Sequence, residues 1–309
     1  MSTAPADRPV GPWAREKLDA LGAYLDYYTK VLKNQRRWLK GTIYIDAFAG
    51  PGRSRIRVKA TSPLGGLLTE LGPEDDAEEA AFIAGSPRRA LEIANPFDEY
   101  VFIEMAEDRI AELERLSAEY GGQHKIDIRR GDANGQLENL LKGNISKYGY
   151  KAVVFLDPFG MQIPWETVAR LAATKNTEVV INFALGMAIQ RLLRRDAEIP
   201  PSWRAALDVF FGTSDWWAEV YVEVDDLLER RTIKRNDAGL RLLEFYRTRL
   251  KQAFGHVSPA RLVRNTRGGH LYYLIWAGTH PKGLQGASYV LGRPESPVSK
   301  GTKPRSGEE

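Results

Sequence analysis

The sequence predicts an α/β protein built on a doubly wound parallel sheet. Two observations lead there. First, short apolar runs alternate with segments of helical spacing through residues 1–184, the pattern of a parallel sheet with right-handed crossovers. Second, four stretches each put a carboxylate at or just beyond the end of an apolar run: Tyr44 to Gly52 with Asp46, Phe102-Ile103-Glu104, Gly131-Asp132-Ala133-Asn134, and Phe155 to Gly160 with Asp157. A doubly wound sheet has its ligand crevice outside the carboxyl ends of its strands. Four acids therefore converge on one crevice.

The elements follow in order. Trp13 to Trp38 reads as a helix, with Leu18, Leu21, Leu25, Tyr28 and Leu32 at three-four spacing. Thr42 to Phe48 is a strand, ended by the turn Gly50-Pro51-Gly52. Residues 61–71 read as helix and 73–79 as an acidic turn. Ser86-Pro87 opens a helix over 87–94, with Ser86 as N-cap and Pro87 at the first helical position. Strands follow at 100–103 and 125–129, with a helix over 109–120 between them and another beginning at 137–142. Residues 152–156 form a buried strand, because Val153, Val154, Phe155 and Leu156 run without alternation. A helix over 164–173 and a strand over 178–183 complete the core pattern.

After Ala184 the pattern changes. Residues 185–256 read as a helical, basic insertion rich in Trp and Arg. Residues 260–264 and 270–277 are two closing strands split by Gly268-Gly269, within a closing segment of 257–292. From Arg293 to Glu309 the chain is Pro, Ser, Gly, Lys and Glu, the composition of a disordered tail.

Composition narrows the class. Hydrophobic residues are 43% and charged residues 27%, ordinary for a soluble globular chain of 309 residues. No apolar run approaches the roughly 20 residues needed to cross a bilayer, and Met1 to Pro12 has no signal-peptide core. Without cysteine there is neither disulfide nor thiolate metal site, and four scattered histidines argue against zinc. A cytoplasmic protein is expected. Net charge is +4, unevenly placed: net −2 over residues 1–184 and net +6 over 185–309. That asymmetry suits a basic face for a polyanion, or is ordinary variation of a solvated surface.

Each acid has a functional and a plain reading. Asp46 to Gly52 is a strand followed by a glycine turn, either a ligand loop, since glycine lets backbone approach a ligand closely, or a tight structural turn. It matches neither the dinucleotide fingerprint nor a P-loop. Glu104, at a strand end, has the acceptor-only chemistry that suits a ribose diol, or it is a solvated strand-end acid. Asp132 either accepts from an adenine amine beside the Ala133 N–H or caps the following helix, and the two are compatible. Asp157-Pro158-Phe159-Gly160 is the sharpest signal. Asp157 and a backbone carbonyl there can face a planar amine, with Phe159 stacking on its ring. The plain reading is a βα turn with a capping acid and a core Phe. Asp157 is expected at the mouth of the crevice rather than deep beneath the sheet.

The order of these motifs resembles the class I S-adenosylmethionine-dependent methyltransferases, with their Rossmann-like sheet. Tyr44 to Gly52, Gly85-Ser86-Pro87, Phe102 to Glu104, Phe155 to Gln162 and Leu271 to Gly283 look more closely like the three-Cys-motif partner family, over roughly residues 13–285. The Gly-Ser-Pro turn resembles that of ribosomal-RNA adenine-N6 methyltransferases. Asp-Pro-Phe-Gly resembles the catalytic motif of tRNA guanine-N2 enzymes. By that resemblance Asp46, Ala49, Gly50 and Gly52 hold the methionine end of the cofactor, with Ser86 nearby. Glu104 holds the ribose, and Asp132 with Ala133 the adenine. Asp157, Pro158 and Phe159 serve the acceptor amine. Phe159 departs from the second proline of the adenine-N6 motif, which leaves adenine and guanine both open. The family also implies a partner protein with three clustered cysteines.

Outside the crevice, Arg53, Arg55, Arg57 and Lys59 alternate with other residues and share one face of a strand-like stretch, which either grips phosphates near the site or is a solvated edge that resists aggregation. Trp203, Trp216 and Trp217 lie near Arg204, Arg230, Arg231, Lys234 and Arg235. Aromatic and cationic residues so interleaved either grip single-stranded nucleic acid or are core tryptophans among surface charges. His256, His270 and His280 read as structural. The expected activity is methyl transfer to an exocyclic amine of a nucleobase. The competing expectations are a non-catalytic cofactor- or partner-binding module and a small-molecule methyltransferase.

Overall fold

A computed structural model of the chain describes residues 12–35, 37–50, 85–158, 160–225, 230–264 and 269–292. Gly52, the basic stretch Arg53 to Lys59, the helix expected at 61–71, the turn at 73–79, Phe159 and the tail 293–309 lie outside the described residues. The apolar runs form β1 (Gly41–Asp46), β2 (Glu99–Glu104), β3 (Ile126–Arg130), β4 (Tyr150–Leu156) and β5 (Thr177–Phe183). Later strands are β6 (Tyr221–Asp225), β7 (Arg230–Lys234), β8 (His256–Val257), β9 (Arg261–Arg264) and β10 (His270–Gly278). The main sheet runs β3-β2-β1-β4-β5-β10-β8, with β9 also paired to β10. The first five strands are parallel, and β10 is antiparallel to β5. This is the Rossmann-like, doubly wound order of the class I methyltransferase type.

Helices cover both faces. On one side lie α1 (Pro12–Lys33), α2 (Ser86–Leu91) and α3 (Glu107–Tyr120). On the other lie α4 (Ala133–Leu141), α5 (Trp165–Ala173), α6 (Pro201–Phe211), α7 (Trp216–Val220) and α8 (Ala238–Phe254). The last helix, α9 (Pro281–Leu291), returns to the α1 side. Strand residues alternate between two cores. Ile43, Ile45, Val154 and Ile181 face α4 to α8, while Tyr44, Phe102, Phe155 and Val180 face α1. Among the described residues no helix is long and apolar enough to cross a membrane.

Helix α1 packs Leu21, Leu25, Tyr28 and Leu32 onto the sheet, as its spacing predicts. It ends at Lys33 rather than Trp38, because residues 33–37 (Lys, Asn, Gln, Arg, Arg) offer nothing apolar to bury. Its seat is fixed by α9. A Cβ on Gly286 would lie 2.1 Å from the Tyr27 ring, so only glycine permits this approach. Tyr27 also donates to the Lys282 carbonyl at 3.0 Å.

Three local expectations are corrected. Gly85, not Ser86, is the N-cap of α2, and Ser86 lies fully buried in the first turn. The segment 185–256 is not only helical: β6 and β7 form an antiparallel hairpin. Its five-residue strands are largely exposed and give no continuous apolar run to read. Helix α9 follows β10 where the sequence reading placed no element. His280 caps it, its ring nitrogen Nδ1 accepting from the Lys282 N–H at 3.1 Å.

Candidate active site

The carboxyl ends of the parallel strands carry a row of buried polar side chains, all on the α1 face. Glu104 ends β2 and Asp46 ends β1. Asp157 follows β4, and Asn182 lies near the end of β5. Tyr272 of β10 completes the row. Strand register explains the shared face. Asp46 pairs with Phe155, Leu156 pairs with Ile181, and alternate residues share one side. All five residues are buried.

Glu104 is the tie of the row. Its Oε1 accepts from the backbone N–H groups of Met105 and Ala106 at 2.8 and 2.9 Å, at the start of α3. Its Oε2 accepts from the Gly50 N–H at 2.8 Å. One carboxylate thus holds the turn after β1 to the turn after β2. Burial raises its pKa above the ordinary value, against the lowering effect of those N–H bonds. Ala49 is held by its N–H to the Ile103 carbonyl at 3.0 Å. Gly50 has little room: a Cβ there would lie 3.3 Å from Arg109 and 3.5 Å from Glu104 Oε2.

Asp46 is fully buried. Its Oδ1 accepts from the Phe48 N–H and its Oδ2 from the Tyr44 hydroxyl, both at 3.3 Å, and Ser86 bonds the same carboxyl. Burial is the main reason its pKa is pushed up to about 7, and the charge of Asp157 adds to the rise. The sequence reading brought Ser86 to this crevice, and the structure brings it to Asp46.

Asp132 is exposed and caps α4, its Oδ2 accepting from the Gly135 N–H at 2.9 Å. Ala133 behind it is buried. The Gly131 N–H donates to the Glu104 carbonyl at 2.9 Å, so this turn adjoins the Glu104 turn.

Asp157 differs most from expectation. It is not at an open mouth but fully buried, and it pairs with Lys17 of α1. Lys17 Nζ lies 2.7 Å from Asp157 Oδ1, and neither side chain is exposed. The ammonium sits 4.3 Å from the Tyr272 ring centroid and 5.7 Å from that of Phe155. The reason is geometric: α1 crosses over the strand ends, so a residue one turn before Leu21 covers the end of β4. Asp157 Oδ2 is buried with no hydrogen-bond partner among the described residues. Pro158 beside it is buried too.

The sequence reading missed Lys17, Asn182 and Tyr272. Two of them left a signal. Lys17 stands on the apolar stripe of α1, seven residues before Tyr24, and Asn182 interrupts Val179-Val180-Ile181-Asn182-Phe183. A polar residue in an apolar pattern is a departure that needs a partner.

The tryptophans divide. Trp216 is core, with its indole N–H donating to Asp208 Oδ1 at 2.7 Å. Trp217 is half-buried beneath the Arg204 guanidinium at 4.5 Å. Lys234 is half-buried and donates to the Leu193 carbonyl at 2.9 Å.

No known protein-family profile and no curated protein matches this sequence. Solved structures give loose likenesses. Protein LPL1258 from Legionella pneumophila str. Philadelphia 1 (DUF519) is 12% identical over 88% of this chain and 90% of that one, with a TM-score of 0.42. The PH0226 protein from Pyrococcus horikoshii OT3 is 10% identical over 85% of this chain and 90% of its own, with a TM-score of 0.31. YcgJ from Bacillus subtilis is 11% identical over 80% and 96%, with a TM-score of 0.27. The fold assignment rests on strand order and register rather than on these likenesses.

Proposed function

We propose that this protein is an S-adenosylmethionine-dependent methyltransferase acting on an exocyclic amine of a nucleobase in RNA or DNA. One observation carries the reading. At the end of β4, Asp157 presents a buried oxygen, Oδ2, that lacks a donor, in line with the acids that end β1 and β2. A buried acceptor without a donor costs about 1–3 kcal/mol. An amine N–H would satisfy it.

The residues fit the cofactor by chemistry. Glu104 is an acceptor-only group, and a ribose diol offers two donors. Gly50 presents backbone where a Cβ would press on the Arg109 side chain at 3.3 Å. Asp46, Ala49 and Ser86 would hold the methionine end, and Asp132 with Ala133 the adenine. Gly52 belongs to the same motif. When bound, the cofactor supplies a methyl group on a sulfonium. The chain's own work is positioning, which can lower a barrier by several kcal/mol. An aryl amine has its lone pair delocalised into its ring. Hydrogen bonds to Asp157 and the Pro158 carbonyl favour a more tetrahedral, more nucleophilic nitrogen, with Phe159 stacking on the base. A base in a duplex must be flipped out to reach such a corner.

Nucleic acid as partner is supported by exposed Arg194, Arg195, Arg204 and Arg231 around the β6–β7 hairpin, and by the Arg204–Trp217 stack. Acids temper that surface, since Arg194 pairs with Asp196 at 3.0 Å. A partner protein with three clustered cysteines is part of the same proposal, carried by the family resemblance alone. The buried Lys17–Asp157 pair favours one competing reading, a module that kept the fold without the chemistry.

The test is to incubate the protein with labelled S-adenosylmethionine and separate RNA, DNA and protein extracts. Label should enter a nucleic-acid fraction. Binding to that fraction should weaken steeply with salt. Changing Arg204 and Arg231 to Gln should reduce the slope of log affinity against log salt by about 1 per lost phosphate contact. Cofactor binding with no label in any fraction would favour the non-catalytic module, and label in small molecules would favour the third expectation.

A further inference from the structure

We propose that Lys17 is the positioning residue of Asp157: its ammonium holds Oδ1, so that Oδ2 is turned toward the acceptor amine. The inference rests on the methyltransferase reading and deepens it.

A buried ion pair is a poor way to stabilise a fold. Desolvating both charges offsets their attraction, and well-packed apolar residues of similar volume are often as good or better. Elsewhere on this face α1 meets the sheet with Leu21, Leu25 and Tyr28, so apolar contact is available there. The pair is also one-sided. Oδ1 has Lys17 at 2.7 Å while Oδ2 has no hydrogen-bond partner among the described residues, though both are buried. The neighbouring Asp46 has partners for its carboxyl in Tyr44, Phe48 and Ser86, so the open oxygen sets Asp157 apart even within this corner.

The surroundings fix the geometry. From β1, Asp46 and Tyr44 face the corner, and Ser86 of α2 bonds Asp46. Phe155 of β4 and Tyr272 of β10 flank the ammonium. Asn182 of β5 stands beside Asp157 in register. Lys17 thus brings positive charge to a corner that holds two acids, and the aromatic rings limit where its ammonium can sit. A carboxylate held this way offers its second oxygen in one orientation to a neutral amine.

The experiment compares wild type with Lys17→Ala and Lys17→Met. In cofactor-free protein labelled with 13C at aspartate, the Asp157 carboxyl resonance is assigned by its loss in Asp157→Asn. It should shift in Lys17→Ala and return on adding propylammonium, which replaces the deleted atoms, but not on adding 1-propanol. In single-turnover methyl transfer on the labelled nucleic-acid fraction, Lys17→Met should lose at least ~100-fold in rate, with cofactor affinity within about threefold; a loss of that kind marks a transition-state role. Propylammonium should restore at least ~10-fold to Lys17→Ala. Full transfer by Lys17→Met in an active wild-type background overturns the Lys17 proposal alone. So does a slow, folded Lys17→Ala whose resonance and rate ignore propylammonium, the mark of a structural role. If Lys17→Ala does not fold, Lys17→Met, which keeps the side-chain volume, decides. A wild type that binds no cofactor or labels no nucleic acid overturns the methyltransferase reading and this inference together.

Discussion

Helix α1 meets a buried acid twice, at opposite ends of the sheet. At the carboxyl ends of the strands, Lys17 pairs with Asp157. Two helical turns later, Tyr24 donates to Glu178 Oε2 near the start of β5, and the Trp276 indole N–H donates to the same oxygen at 3.1 Å. The two acids lie on adjacent strands and one face, and both are buried. Their settings differ in kind. Glu178 is ringed by neutral donors, and burial pushes its pKa up to about 7. Asp157 has a cation on one oxygen and, among the described residues, no hydrogen-bond partner on the other. The first arrangement joins α1, β5 and β10. The second leaves a buried acceptor oxygen without a donor among the described residues, at the carboxyl ends of the strands. Glu178, with its donors supplied, ties the scaffold together, whereas the oxygen left over on Asp157 is the one proposed to take the acceptor amine.

Breaking the site end should have the largest effect. Asp157→Ala strands the Lys17 ammonium in the interior, which should destabilise the fold by about 3–5 kcal/mol. Asp157→Asn keeps the shape and is the cleaner test of rate. Methyl transfer should fall at least ~100-fold in either variant, while cofactor affinity changes less than tenfold. Denaturant unfolding, calorimetric titration and single-turnover transfer measure the three quantities. Full activity in Asp157→Asn would remove Asp157 from the chemistry.

The scaffold end is tested by pH. The folded-state pKa of Glu178 stands at about 7, above its ordinary 4.5. Stability from this group is therefore fully present below about pH 4.5 and lost as pH rises through about 7. The loss amounts to up to about 3 kcal/mol. Glu178→Gln cannot ionise and still accepts from Tyr24 and Trp276 through its amide oxygen. Thermal unfolding across pH 5 to 8 should show a smaller decline in the variant than in wild type. Asp46, also raised to about 7, leaves a residual decline of the same sign. Equal slopes in the two proteins would mean that Glu178 does not titrate in this window.

Glu104 lies between the two cases, and its effect should be the smallest. It accepts from three backbone N–H groups, like a scaffold acid, which leaves part of its roughly four-site acceptor capacity free, and it stands in the row of strand-end acids. Glu104→Ala should weaken S-adenosylmethionine binding by ~1.5–3 kcal/mol, the scale of hydrogen bonds to a charged group. It should also loosen the Gly50 turn. Glu104→Gln keeps part of the tie, and calorimetry on both variants separates the ribose contact from the turn. Unchanged affinity in Glu104→Ala would assign Glu104 to the scaffold alone.

Local pattern was enough for the sheet and for the acids at its strand ends. Val153 to Leu156 and Val179 to Ile181 read as buried strands, because each is a short, unbroken, β-branched-rich apolar run with no face to give to water. Asp46, Glu104 and Asp157 were placed at strand ends by the turns that follow them. Short-range chemistry also allowed Asp132 to be read as a cap, and it is one. The hairpin of β6 and β7 was not legible, since its strands bury little. Ser86 is not the cap its place before Pro87 suggests, because its hydroxyl answers to Asp46, far away in sequence. The depth of Asp157, its pairing with Lys17 140 residues away and the shared oxygen of Glu178 were decided only by the tertiary structure. A sequence sets which faces are apolar and where strands stop, because those are properties of neighbours along the chain. Which buried charge meets which partner depends on how α1, seated by Gly286 against Tyr27, crosses the sheet. That crossing brings together residues that no local pattern connects.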